Sequence, residues 1–90
     1  ASKGLASTDP GTILPAIADG RVANLFVAEG RRLWGRYERD SRKTSLSGES
    51  DGEDLLDLAA VNALNHGTEV YILKQEDIPD NGLLAAELRY

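Results

Sequence analysis

The sequence contains no cysteine. Disulfides, thiolate metal sites and cysteine nucleophiles are therefore excluded, and an intracellular, cytoplasmic setting is favoured. It contains no methionine either. With Ala1 as its first residue, the chain is expected to be a piece of a longer protein, with residues 1–8, small and polar, as a linker. No apolar run approaches the roughly 18 residues of a membrane span, and no signal peptide is visible. There is a single histidine, His66. It has no second histidine or cysteine to complete a zinc site. The glycines at 20, 30, 67 and 82 fall at the ends of expected elements and match neither a G-x-G-x-x-G nor a Walker spacing. No cofactor is expected.

What is present is the composition of a folded domain. The chain has 90 residues, enough for one domain. A domain of this size buries only about 60–65% of its unfolded surface, so its stability margin is thin. The net charge of −5 argues against general nucleic-acid affinity. The charge is unevenly spread. Six of the ten Lys and Arg fall between positions 31 and 43, and five of the fifteen acids between 49 and 57.

Thr8 or Asp9 can cap a first helix, with Pro10 in its first turn. Ile13, Leu14, Ile17 and Ala18 keep helical spacing, and Gly20 is a natural stop. Pro15 lacks the N–H that a helix interior needs, so the regular helix is expected to begin near Thr12. Residues 22–28 (VANLFVA) are apolar on both faces, which suits a strand covered on both sides. Glu29-Gly30 reads as a turn and residues 32–38 (RLWGRYE) as a second strand, so the two are expected to form a hairpin. Gly35 within the second strand points to a bulge or a close neighbour. Residues 39–52 are polar and rich in Ser and Gly, with Leu46 the exception, and read as a mobile loop.

Ser50 and Glu53 have the spacing of a capping box for a second helix running to about His66. Leu55, Leu56, Leu58, Ala59, Val61, Ala63 and Leu64 make that helix apolar over most of its circumference, so it is expected to lie against a sheet. Residues 69–73 (EVYIL) read as a third strand. Pro79 and Asn81-Gly82 mark a loop. Residues 83–90 read as a fourth strand, with Leu84, Ala86, Leu88 and Tyr90 on its apolar face. The predicted fold is α/β, a small mixed four-stranded sheet packed by two helices in the order α-β-β-α-β-β.

Arg31, Arg32, Trp34, Arg36, Tyr37 and Arg39, followed by Arg42 and Lys43, mix basic and aromatic groups. Such groups neutralise phosphates and stack on bases. The plainer reading is an edge strand whose arginines discourage edge pairing, with Trp34 packed inward. The acidic balance of the chain favours the plainer reading. Glu49, Asp51, Glu53, Asp54 and Asp57 do not meet EF-hand spacing, and compensation of the helix dipole accounts for most of them. No metal site is expected. His66, in the last helical turn, suits the negative end of the same dipole.

Three stretches in this order, residues 20–30 (GRVANLFVAEG), 54–73 (DLLDLAAVNALNHGTEVYIL) and 82–90 (GLLAAELRY), carry a resemblance. Together they resemble the C-terminal domain of bacterial release-factor-like proteins, relatives of archaeo-eukaryotic class-1 release factors and pelota. The resemblance covers nearly all of residues 9–90. It implies a ribosomal-protein-like α/β sandwich that acts as a docking module, since the corresponding domain in release factors and pelota binds a translational GTPase. The Gly-Gly-Gln loop that hydrolyses peptidyl-tRNA belongs to another domain of those proteins and does not occur here. Glu87 departs from the apolar residue usual in the terminal strand, which implies a wetter face. The same superfamily contains kink-turn RNA binders, but their Gly-x-Asn-Glu helix start is absent.

The function expected is therefore a non-catalytic docking domain, cytoplasmic and translation-associated. Its partner is a protein, such as a translational GTPase, or a ribosome component. An RNA-binding domain using residues 31–43 is the alternative from another class. A third is a fragment of an enzyme whose active site lies in another domain.

Overall fold

The computed structural model describes residues 5–38, 40–41, 43–46, 52–78 and 81–89. Along the chain run β1 (Leu5–Ser7), α1 (Pro10–Ala18), β2 (Val22–Ala28), β3 (Trp34–Glu38), β4 (Lys43–Leu46), β5 (Glu53–Asp54), α2 (Leu55–Asn65), β6 (Glu69–Leu73) and β7 (Leu84–Leu88). The α/β class is as expected, but there are two sheets. One has four strands in the order β1-β7-β2-β6, and the other has three in the order β4-β3-β5.

Asp9 caps α1. Its carboxylate accepts from the Gly11 N–H at 3.1 Å and from the Thr12 hydroxyl at 3.1 Å. The helix starts at Pro10 rather than near Thr12, and Pro15 lies inside it. The bond lost at Pro15 is the one to the Gly11 carbonyl. Gly11 is exposed, so water can serve that carbonyl and the interruption costs little. Both helices end alike. Gly20 and Gly67 take φ +71° and +74°. The next residues, Arg21 and Thr68, then donate backward to the carbonyls of Ala16 and Ala63 at 2.9 and 2.8 Å. Each glycine turns the chain at once into a strand, β2 after α1 and β6 after α2.

Those two strands are parallel neighbours, with Leu25 opposite Val70 and Val27 opposite Ile72. β7 pairs antiparallel with the other edge of β2 and with β1. β2 is thus central, as its two-faced apolar sequence requires. Leu25 and Val27 of β2, with Leu84 and Ala86 of β7, meet Ile13, Leu14 and Ile17 of α1 and Leu55, Leu56, Ala59 and Ala63 of α2 in the main core. The opposite sheet face is covered by neither α1 nor α2. There Ala28, Ala85 and Ile78 form a smaller cluster flanked by Phe26 and Leu73. Leu5–Ser7, expected to belong to a linker, is the edge strand β1.

The expected hairpin between residues 22–28 and 32–38 does not form, and the single four-stranded sheet that would have contained it is replaced. A strand has only two edges, and β6 and β7 take both edges of β2. β3 instead pairs with β4 and β5. Asp54 fixes it there. One carboxylate oxygen of Asp54 accepts from the Leu33 N–H at 3.2 Å and from the Leu56 N–H at 3.1 Å, while the Leu55 N–H donates to the Leu33 carbonyl at 2.7 Å. The cap of α2 is therefore Asp54, and Glu53, expected in a capping box, lies in β5. Ser50 and Asp51 lie outside the described residues.

The expected loop over 39–52 contains β4, held by backbone pairing from Gly35–Leu46 to Glu38–Lys43. Leu46 itself stays exposed, so the strand exists for its ladder and not for apolar burial. Arg39, Arg42 and 47–50 lie outside the described residues, as do Pro79 and Tyr90.

Candidate functional site

β3 alternates in the manner of any strand. Gly35 is buried and Tyr37 packs against the main core, so Trp34, Arg36 and Glu38 occupy the outer side. Gly35 is required by a close approach. A Cβ there would collide with the Ser45 carbonyl oxygen and come within 2.8 Å of Leu55 Cδ1. β3 can lie this close to its neighbours only with no side chain at 35.

The outer side gathers part of the expected basic-aromatic set. The Arg32 guanidinium sits 5.9 Å from the centroid of the half-buried Trp34 ring. Arg31, Arg32, Arg36 and Lys43 are exposed, and Arg36 faces Ser45 across the ladder. Two expectations are corrected. β3 is the central strand of its sheet and not an edge, and Trp34 is on its outer side instead of packing inward. Tyr37 is half-buried against the main core, on the side of the strand opposite Trp34 and Arg36. Arg39 lies outside the described residues. Glu38, Asp40 and Glu53 are exposed among these cations, so the patch is of mixed sign.

A second surface was not anticipated. The apolar circumference of α2 exceeds what the sheet covers. Leu55, Leu56, Ala59 and Ala63 are buried and Leu58 is half-buried, whereas Val61 is 47% and Leu64 64% exposed. The strand beside this helix, β6, adds Tyr71 at 43% and Ile72 at 58%. Among the described residues, the exposed large apolar side chains apart from Leu46 are these four. Val61, Leu64 and Ile72 lie together on the helix side of two adjacent elements, whereas Tyr71 is turned to the other face of the sheet. β6 is also an edge strand. The Leu73 carbonyl accepts from the Glu29 N–H, so residues 69, 71 and 73 turn their backbone groups toward β2. Those of Val70 and Ile72 therefore point to the free edge. Neither proline nor lysine interrupts the strand. The sequence signal was the surplus of apolar positions on α2, more than one buried stripe needs.

On the sheet face away from α1 and α2, Phe26 and Tyr71 stack with centroids 5.5 Å apart. Asn24 Nδ2 donates to Glu87 Oε1 at 2.7 Å across the β2–β7 pair. Glu87 is exposed. His66 is the C-cap residue of α2 and is exposed. Among the described residues, no group of three or more His, Asp or Glu side chains converges in a way that could hold a metal ion.

Comparison with known protein families finds no family model that matches the chain, and comparison with curated proteins finds no match.

Proposed function

We propose that this chain is a docking domain whose α2–β6 flank receives a protein partner. The observation that carries the reading is that flank. Val61, Leu64 and Ile72 are exposed on the helix side of the sheet beside an unpaired strand edge. Clustered exposed apolar groups mark interaction sites in a way that scattered ones do not. An open edge adds main-chain hydrogen bonds to whatever strand lies along it. The resemblance to release-factor-like C-terminal domains makes a translational GTPase or a ribosome component the first partner to test.

RNA binding through Arg31, Arg32 and Arg36 is the second reading. The outward Trp34 stacked beneath Arg32 favours it, since an aromatic and a guanidinium presented together suit an unpaired base. The mixed sign of the patch and the net charge of −5 weigh against it.

One experiment separates the two. Cosedimentation with ribosomes, and binding to a translational GTPase, are measured for wild type, Leu64→Glu/Ile72→Glu and Arg32→Ala/Arg36→Ala. Docking predicts loss in the first double variant and retention in the second. Trp34 is the sole tryptophan, so its fluorescence reports oligonucleotide binding directly. Sub-micromolar, steeply salt-dependent quenching that the arginine variant abolishes would overturn the docking reading in favour of RNA.

A further inference from the structure

The face of the four-stranded sheet away from α1 and α2 holds a hollow of about 270 Å³. It exists because Ala6 and Ala85 are too small to fill the space beside Phe26, while Ile78 covers only the stretch of the face around Ala28 and Ala85. Its floor is apolar, with Phe26, Leu73 and Ala85. Its rim is not. Asp77, in the turn after β6, and Glu87, on β7, both line it. Asn24 holds one oxygen of Glu87 and leaves the other for a ligand. Among the described residues, no side chain bonds to the Asp77 carboxylate and no Lys or Arg lines the hollow.

We propose that this hollow is a binding site for an organic cation, an ammonium or guanidinium group carried on a short apolar stem. An apolar floor rewards burial of the stem by removing its surface from water. Two carboxylates on one rim hold the charged end, and charge-assisted hydrogen bonds to a carboxylate are stronger than neutral ones. An anion would meet like charge at the mouth. A neutral ligand would leave both carboxylates without a counter-charge. The volume is near the lower end for ligand pockets, which limits the guest to a small molecule or one basic side chain. This inference does not depend on the docking surface, which lies on α2 and the free edge of β6.

The test is a titration followed by amide chemical shifts, with the chain labelled with nitrogen-15. The probes are n-butylammonium, n-butylguanidinium, n-butanol, butyrate and ammonium chloride. The two butyl cations are expected to shift the amides of Ala6, Phe26, Ala85 and Glu87 with a Kd of about a millimolar, the scale for so small a ligand. Butanol and butyrate should bind at least about tenfold more weakly, a gap that a charge-assisted contact supplies. Glu87→Gln keeps the acceptor for Asn24 and removes the charge. With Asp77→Asn it should weaken the cations by about tenfold and leave butanol unchanged. Ala6→Leu fills the hollow from an edge strand without touching the core, and should abolish the shifts. Short peptides with one Lys or Arg distinguish the source. Tighter binding than the free cation assigns the guest to a polypeptide, and equal binding to a small amine. Butanol binding as well as butylammonium, or ammonium chloride giving the same shifts, overturns the proposal. So does a titration unchanged in the two carboxylate variants.

Discussion

The Thr68 hydroxyl donates a 3.0 Å hydrogen bond to the Val22 carbonyl, joining the connection between α2 and β6 to the first residue of β2. Thr68 is the one buried polar residue among those described. The β2–β7 register shifts between Val22 and Asn24. At that irregularity the Val22 carbonyl takes bonds from two side chains instead, Thr68 Oγ1 and, at 3.3 Å, Arg89 Nε.

Thr68→Val should therefore cost about 0.5–1.5 kcal/mol, the net worth of one hydrogen bond, since the Val22 carbonyl keeps Arg89 as a donor. Thr68→Ser keeps the hydroxyl and should recover most of that. Urea midpoints of the two variants check it. Equal midpoints for Val and Ser would show that the bond to Val22 contributes nothing.

Gly35→Ala and Gly11→Ala should move stability in opposite directions. At 35 the new methyl collides with the Ser45 carbonyl and Leu55, and overpacking of this kind costs about 1–3 kcal/mol or more. At 11 the nearest atoms are the Asp9 carboxylate at 3.5 Å, ordinary contact, so alanine in the helix should gain about 0.5–1 kcal/mol. Thermal midpoints that fall for both would mean that the first turn of α1 has less room than its geometry shows.

Asp54→Ala removes two bonds at once, those from the Leu56 and Leu33 N–H groups. It should cost about 2 kcal/mol, the upper end for a helix cap. It should also loosen β3, which an ordinary cap would not do. Amide exchange checks this second effect. Protection of Leu33 that survives the substitution would confine Asp54 to capping.

Along α2, burial grades the expected cost of truncation. Leu56→Ala, fully enclosed, should cost about 2–5 kcal/mol. Leu58→Ala should cost less, because that residue is half-buried. Leu64→Ala should stay within about 0.5 kcal/mol, as surface substitutions do. Denaturant midpoints in this order support the assignment of Leu64 to an uncovered flank. A loss at Leu64 as large as at Leu56 would remove that flank as a docking surface.

Much of this fold is legible in local chemistry. The glycines after both helices, Asp9 with Pro10, and the strands at 22–28 and 69–73 each follow from interactions within a few residues of chain. Backbone conformation, capping and alternation depend on near neighbours, so the sequence displays them. The two-faced apolar run at Val22–Ala28 is enough to place it centrally in a sheet. The basic-aromatic segment is visible too, but not which of its side chains share a side.

Strand pairing, by contrast, was settled by contacts between distant parts of the chain. A Glu29-Gly30 turn between two strand-like runs suggests a hairpin, yet β6 and β7 come from far along the chain to take both edges of β2. β3 is then left to build a second sheet with β4 and β5. Edge competition is a property of the whole chain, because each strand has two edges and every other strand competes for them. For the same reason the apolar excess of α2 could be counted in the sequence. Which part of it the sheet would leave at Val61 and Leu64 depended on where α1 and β2 came to rest against it.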